Sequence, residues 1–154
     1  MIFFKKAIGY FEKYYLGLDA DSLKRLDTLS VKGMRTNSSA RNESAIVPGA
    51  REQVVFAPMV QGYARDLNRG AYKIYQKTNN AYLLVIATKW AEKALQFYTS
   101  PEILDTYARL LYKQNQATKA IKTMSEAISL QQKRGYPTRE YDTALEKMKN
   151  KTPL

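Results

Sequence analysis

The chain repeats its own apolar pattern at an interval of 33 residues. Ala87, Ala91, Ala94 and Leu95 return as Ala120, Met124, Ala127 and Ile128. Earlier in each copy, Ala71, Ile74 and Thr78 return as Leu104, Tyr107 and Leu111. Within a copy these positions fall three or four apart, which places them on one face of an α-helix. An interval near 34 residues, with small residues on the second helix, marks stacked helical hairpins that bury their apolar faces against one another. Such stacks mostly hold partners and seldom carry chemistry. The pattern therefore constrains the mode of action as well as the fold.

A length of 154 residues suits one domain with a real core. No run of about 18 uncharged apolar residues is present, so no transmembrane segment is expected. Ile2-Phe3-Phe4 precedes Lys5-Lys6, the reverse of a secretory signal, in which charge comes before the apolar stretch. No export signal is read in the chain as given, which leaves the compartment open.

Cysteine and histidine are both absent. Disulfides, thiolate metal sites, imidazole acid–base steps and histidine-ligated metals are excluded. The 14 acidic residues are scattered along helical patterns, and nothing gathers them. A non-enzyme without metal or cofactor is the expectation. A Ser–Lys, Asp–Asp or Tyr mechanism is the enzymatic alternative that this composition leaves.

The net charge of +11 raises the question of nucleic acid. Residues 1–66 carry 10 basic and 7 acidic side chains, whereas residues 67–154 carry 15 and 7. The excess is spread singly along the helices, with no run of four or more, and such a distribution reads first as a solvated face. An acidic protein or a membrane surface follows as the next reading, and nucleic acid comes last.

Along the chain, residues 2–16 read as a helix with Phe4, Ile8, Phe11 and Tyr15 on one stripe. Gly17 is a stop, and Asp19 or Asp21 caps a second helix bearing Leu23, Leu26 and Leu29. Residues 32–50 lose all periodicity and end in Pro48-Gly49, so a mobile loop is expected there. Helical pattern returns near Arg51 and continues to about Gln76, with interruptions expected at Pro58, Gly62 and Gly70. The first hairpin is predicted at 67–78 and 81–98, the second at 101–114 and 117–134. Pro101 suits a first helical turn, and Gly135-Tyr136-Pro137 ends the second hairpin. A closing helix at 138–149 puts Tyr141, Leu145 and Met148 inward, with Glu140, Asp142, Glu146, Lys147 and Lys149 outward. The predicted organisation is a helical extension with a mobile loop over 1–50 and one packed unit over 51–154.

With Ala87 and Ala120 at the twentieth position, Ala94 and Ala127 fall at the twenty-seventh and Ala108 at the small eighth. Asn115 then takes the turn position. This pattern resembles the tetratricopeptide family. It departs from it at Leu104, where the family favours Trp, at Met124, where it favours Phe or Tyr, and at Tyr75, which stands at the small eighth position. The resemblance implies an all-α fold of tetratricopeptide-like hairpins, a short right-handed solenoid, here with an N-terminal helical extension.

A narrower resemblance covers about 67–149. Leu67-Asn68, Ala71-Tyr72, Lys89-Trp90-Ala91-Glu92-Lys93, Leu104-Asp105-Thr106-Tyr107-Ala108 and Leu111-Tyr112-Lys113 are similar to the helical C-terminal region of certain bacterial thioredoxin-fold proteins. It implies the tail of such a protein without its redox domain. It also implies residence in the cell envelope or periplasm, with the cytoplasm as the alternative.

By likeness to the tetratricopeptide family, the groove positions are Arg69, Tyr72, Gln76 and Asn79 in the first copy, and Glu102, Asp105, Arg109 and Tyr112 in the second. Arginine forks, tyrosines and amides can hold an extended acidic segment. Asp105 can instead hold Arg109 by an i,i+4 pair. The candidate groove is thus Arg69, Tyr72, Gln76, Asp105, Arg109 and Tyr112, and its expected partner is a segment of another protein. Self-association stays open. Trp90, the sole tryptophan, and most of the 12 tyrosines are assigned to packing between helices.

Overall fold

The computed structural model describes residues 59–154, together with Gly9 and Lys13. Apart from those two residues, the helices expected over 2–16 and around Leu23, Leu26 and Leu29, the loop at 32–50 and the helical start at Arg51 lie outside the described residues. So does the division of the chain at residue 50. The described chain is all α and contains no strand. Its helices are α1 (Met59–Lys77), α2 (Ala81–Phe97), α3 (Pro101–Lys113), α4 (Ala117–Lys133) and α5 (Arg139–Lys149).

Helix α1 buries a stripe of Val60, Ala64, Leu67, Ala71 and Ile74, the three-and-four spacing of a single helical face. It runs through Gly62 and Gly70 without the expected interruption. A glycine inside a helix costs about 1 kcal/mol against alanine. Full burial of Leu67 and Ile74 is worth about 1.5–3 kcal/mol each, so packing overrides local preference. The first hairpin accordingly begins before Leu67.

Polar caps set the other boundaries. The Asn80 side chain accepts the Leu83 amide at 3.2 Å and starts α2. Ser100 accepts the Ile103 amide at 3.4 Å ahead of Pro101, which occupies the first turn of α3 as expected. Helices α3, α4 and α5 each end on a residue in the left-handed region, namely Asn115 (φ 61°), Gly135 (φ 75°) and Lys151 (φ 54°). At the first of these, the Gln116 amide donates to Leu111 at 2.9 Å and the Asn115 amide to Tyr112 at 3.0 Å. This paired closure satisfies the last carbonyls of the helix.

Helices α1 and α2 pack as one antiparallel hairpin, and α3 and α4 as a second. Helix α2 packs on α3, α1 touches α3, and α5 lies against α4. Two cores result, and α3 belongs to both. It gives Ile103 and Leu110 to the first, around Trp90, and Leu104, Ala108 and Leu111 to the second, around Met124. Helix α5 closes the second core with Ala144 and Met148, backed by Tyr141 and Leu145. Its Glu140, Asp142, Glu146, Lys147 and Lys149 are exposed, as the sequence pattern predicts.

The repeat has two intervals. Ala87, Ala91 and Ala94 are fully buried, and so are Ala120, Met124 and Ala127, 33 residues on. The helix ends recur at 36 instead, since α2 spans Ala81–Phe97 and α4 spans Ala117–Lys133. Three residues are a little less than one helical turn, or roughly 4.5 Å along the axis. The buried stripe of the first hairpin is therefore set about one turn deeper into its second helix.

Candidate functional site

The candidate residues lie on α1 and α3, the first helices of the two hairpins. Arg69 is exposed and paired with Asp66 at 3.7 Å, within its own helix. Gln76 and Asn79 are also exposed, near the end of α1. Tyr72 is partly exposed and stacks on Tyr75, with ring centroids 5.8 Å apart. Glu102 instead pairs with Arg134, at the C-terminal end of α4, at 4.0 Å.

Asp105 and Arg109 form the expected i,i+4 pair. The Nε of Arg109 donates to Oδ1 of Asp105 at 2.7 Å, with both side chains largely buried. Burial pushes the Asp105 carboxyl above its usual range, and the pull of Arg109 only partly offsets this. Burial opposes the charge of Arg109 as well, but the Asp105 carboxylate and then the Tyr75 hydroxyl together outweigh it and hold the guanidinium more firmly protonated.

Arg109 and Tyr112 line a cavity of about 270 Å³ between the two first helices. Tyr75 from α1 and Lys113 and Asn115 from the end of α3 complete the protein wall, and Pro153 and Leu154 close it. Lys113 fixes the cavity's floor. Its Nζ donates to the carbonyls of Tyr75 at 2.6 Å and Thr78 at 2.9 Å, and lies 4.8 Å from the Tyr75 ring centre. A lysine of the second hairpin thus caps the last carbonyls of α1, where the helix dipole favours a cation. Desolvation lowers the Lys113 pKa. Beside it, Gln114 donates to the Thr88 hydroxyl at 2.6 Å and ties α3 to α2.

The structure brings Tyr72, Arg109 and Tyr112 into one surface through Tyr75, and Asp105 orients Arg109 from behind. Arg69 and Gln76 stand outside the cavity wall. Sequence reasoning missed Tyr75, Lys113 and the residues 153–154. Tyr75 carried a signal, because a large ring at a position that needs a small side chain must be displaced to an edge. Lys113 carried none, since its role depends on the packing of α3 beside α1.

Trp90 is buried in the first core, in line with its assignment to packing. Among the described residues no three carboxylates gather into a metal-holding cluster. No helix among them is long and apolar enough to cross a membrane. Compared with protein-family models, curated proteins and solved structures, the chain matches none.

Proposed function

We propose that this chain is a non-enzymatic protein-interaction module. In this reading it is a short tetratricopeptide-like stack that holds an extended segment of another protein across its first helices. One observation carries the reading. Tyr72, Tyr75, Arg109 and Tyr112 form a continuous surface over α1 and α3, with a cavity at its centre. Tyrosines and arginines of this kind supply large contact area and hydrogen bonds at low entropic cost. The burial of repeat-related alanines in both hairpins supports the tetratricopeptide part. The second hairpin keeps the family's spacing better than the first.

A photo-reactive phenylalanine analogue at Tyr72 tests this in the full chain. Expressed in its native cell, the protein should give one discrete adduct. The same analogue at Tyr82, exposed on α2, should give none. Equal labelling from both positions, or from neither, would reject the groove. Arg109→Ala is a poor probe, because it strands Asp105 without its partner. Retention of a random duplex that falls by orders of magnitude between about 50 and 200 mM salt would replace this reading with phosphate-backbone binding.

A further inference from the structure

We propose that the outer face of α1 is a cation row that receives an acidic segment of the partner, with carboxylates on alternate residues set against Arg65, Arg69, Lys73 and Lys77. This rests on the groove reading above and adds the charge and the spacing of the occupant.

Helix α1 carries four cations and one carboxylate. The cations stand at every fourth residue, from Arg65 through Arg69 and Lys73 to Lys77, and all four are exposed. Residues four apart are neighbours on a helix surface. Four residues rise about 6 Å, so the row runs roughly 18 Å along the axis. In the sequence these are isolated cations. The helix lines them up on the side away from the buried stripe of Val60, Ala64, Leu67, Ala71 and Ile74. Arg69 meets Asp66 only at 3.7 Å, with both side chains open to water, and solvent screening leaves little of such a pair. Among the described residues, Arg65, Lys73 and Lys77 enter no ion pair.

Like charges four residues apart repel, and each such pair weakens its helix. Arg65, Arg69, Lys73 and Lys77 make these pairs in unbroken succession. An occupant with carboxylates at the same interval turns the repulsion into attraction. In an extended chain, alternate residues share one face and recur at about 6.5 Å, close to the rise between successive cations. Such a segment can follow the row from end to end. Arg69 and Tyr72 lie three apart, so the row borders the stack of Tyr72 on Tyr75 and is continuous with the groove. The neighbouring first helix argues for a narrow occupant. Helix α3 balances Arg109 and Lys113 with Glu102 and Asp105, and Glu102 is exposed. A duplex or a bilayer is a broad anionic surface and would meet α3 as well as α1. A single acidic segment engages α1 alone.

The experiment is a fluorescence-anisotropy titration with the full chain at about 0.15 M salt, where exposed charges are well screened beyond about 8 Å. The probe is a labelled, capped peptide of alternating Glu and Ser. The same peptide with Gln for Glu, a random duplex, and vesicles of mixed neutral and anionic phospholipid are the other arms. Saturable binding is expected for the Glu peptide, tighter than for any other arm. Arg65→Gln/Lys73→Gln breaks the row at two places and leaves Arg69 with Asp66. It should weaken binding at least ten-fold. Lys119→Gln/Lys122→Gln removes the same charge from exposed positions of α4, and should change affinity less than two-fold. Glutamine matches arginine and lysine closely in helix propensity, so neither change bears on the fold. Equal loss in the two variants would overturn the proposal. So would absence of binding by the unaltered chain, equal binding of the Gln peptide, or tighter binding of the duplex or the vesicles. The adduct at Tyr72 is measured separately, so the cation row can fail while the groove stands.

Discussion

The two hairpins close their turns by different chemistry. In the second, Asn115 takes the left-handed conformation and its neighbours satisfy the end of α3 from within the turn. In the first, the turn at 78–80 relies on side chains. Thr78 accepts the Asn80 amide at 3.0 Å, Asn80 caps α2, and Lys113 of the other hairpin caps α1. The cores differ in the same sense. The first is filled by the rigid Trp90, Leu67, Ile103 and Leu110, the last two lent by α3, whereas the largest fully buried side chains of the second are the flexible Met124 and Met148. The first hairpin is thus large in volume yet leans on its neighbour for both packing and polar satisfaction. The second closes its own turn.

Four measurements can break or sharpen this contrast. Trp90→Ala should cost about 3–5 kcal/mol in denaturant unfolding, as large aromatic truncations do. The positions 33 and 36 residues on hold Thr123 and Glu126, so the second hairpin has no counterpart to lose. Ala87→Val and Ala120→Val should each cost up to about 3 kcal/mol by overpacking. Similar values would show equivalent seats, and a much cheaper Ala87→Val would show that the one-turn shift opens space. Lys113→Met should cost about 2 kcal/mol, the scale of hydrogen bonds to a charged donor. Hydrogen exchange should quicken at the end of α1 and not at the end of α3. The smallest effect concerns Tyr107, whose hydroxyl donates to Glu92 at 2.8 Å and joins the hairpins. Burial, and then the Glu92 carboxylate, raise its pKa from 10.0 to about 12. A raised pKa means that this contribution to stability is present below pH 10 and is lost as pH rises through about 12. Absorbance titration at high pH should lose its last component in Tyr107→Phe.

The apolar stripes were legible because helical spacing is written directly into residue type. Ala87, Ala94, Ala120 and Ala127 are all fully buried, and Tyr141, Leu145 and Met148 face inward. Asn115 and Gly135 were readable as stops, since asparagine and glycine tolerate the left-handed region. The 36-residue interval was hidden, because helix ends obey caps and turns that no apolar pattern encodes. Gly62 and Gly70 misled for a related reason, in that local cost says nothing of what burial returns. In the candidate site, the pairing of Asp105 with Arg109 was visible as an i,i+4 spacing. The joining of Tyr75 to Arg109 and Tyr112, and the return of 152–154 to α3, depend on how separate helices meet and left no mark in any short window.

Helix α3 completes one core with one side and opens the next with the other, so the two ends of the helical array are not equivalent. An additional hairpin inserted ahead of α5 would find α4 ready to receive it, with α5 again serving as the lid. Excision of α3 and α4 as a cassette would instead deprive Trp90 of Ile103 and Leu110 and leave the upstream pair open to water. Lengthening ahead of α5 should therefore disturb the fold less than deletion of α3 and α4, a difference that the melting temperatures of the two variants would measure.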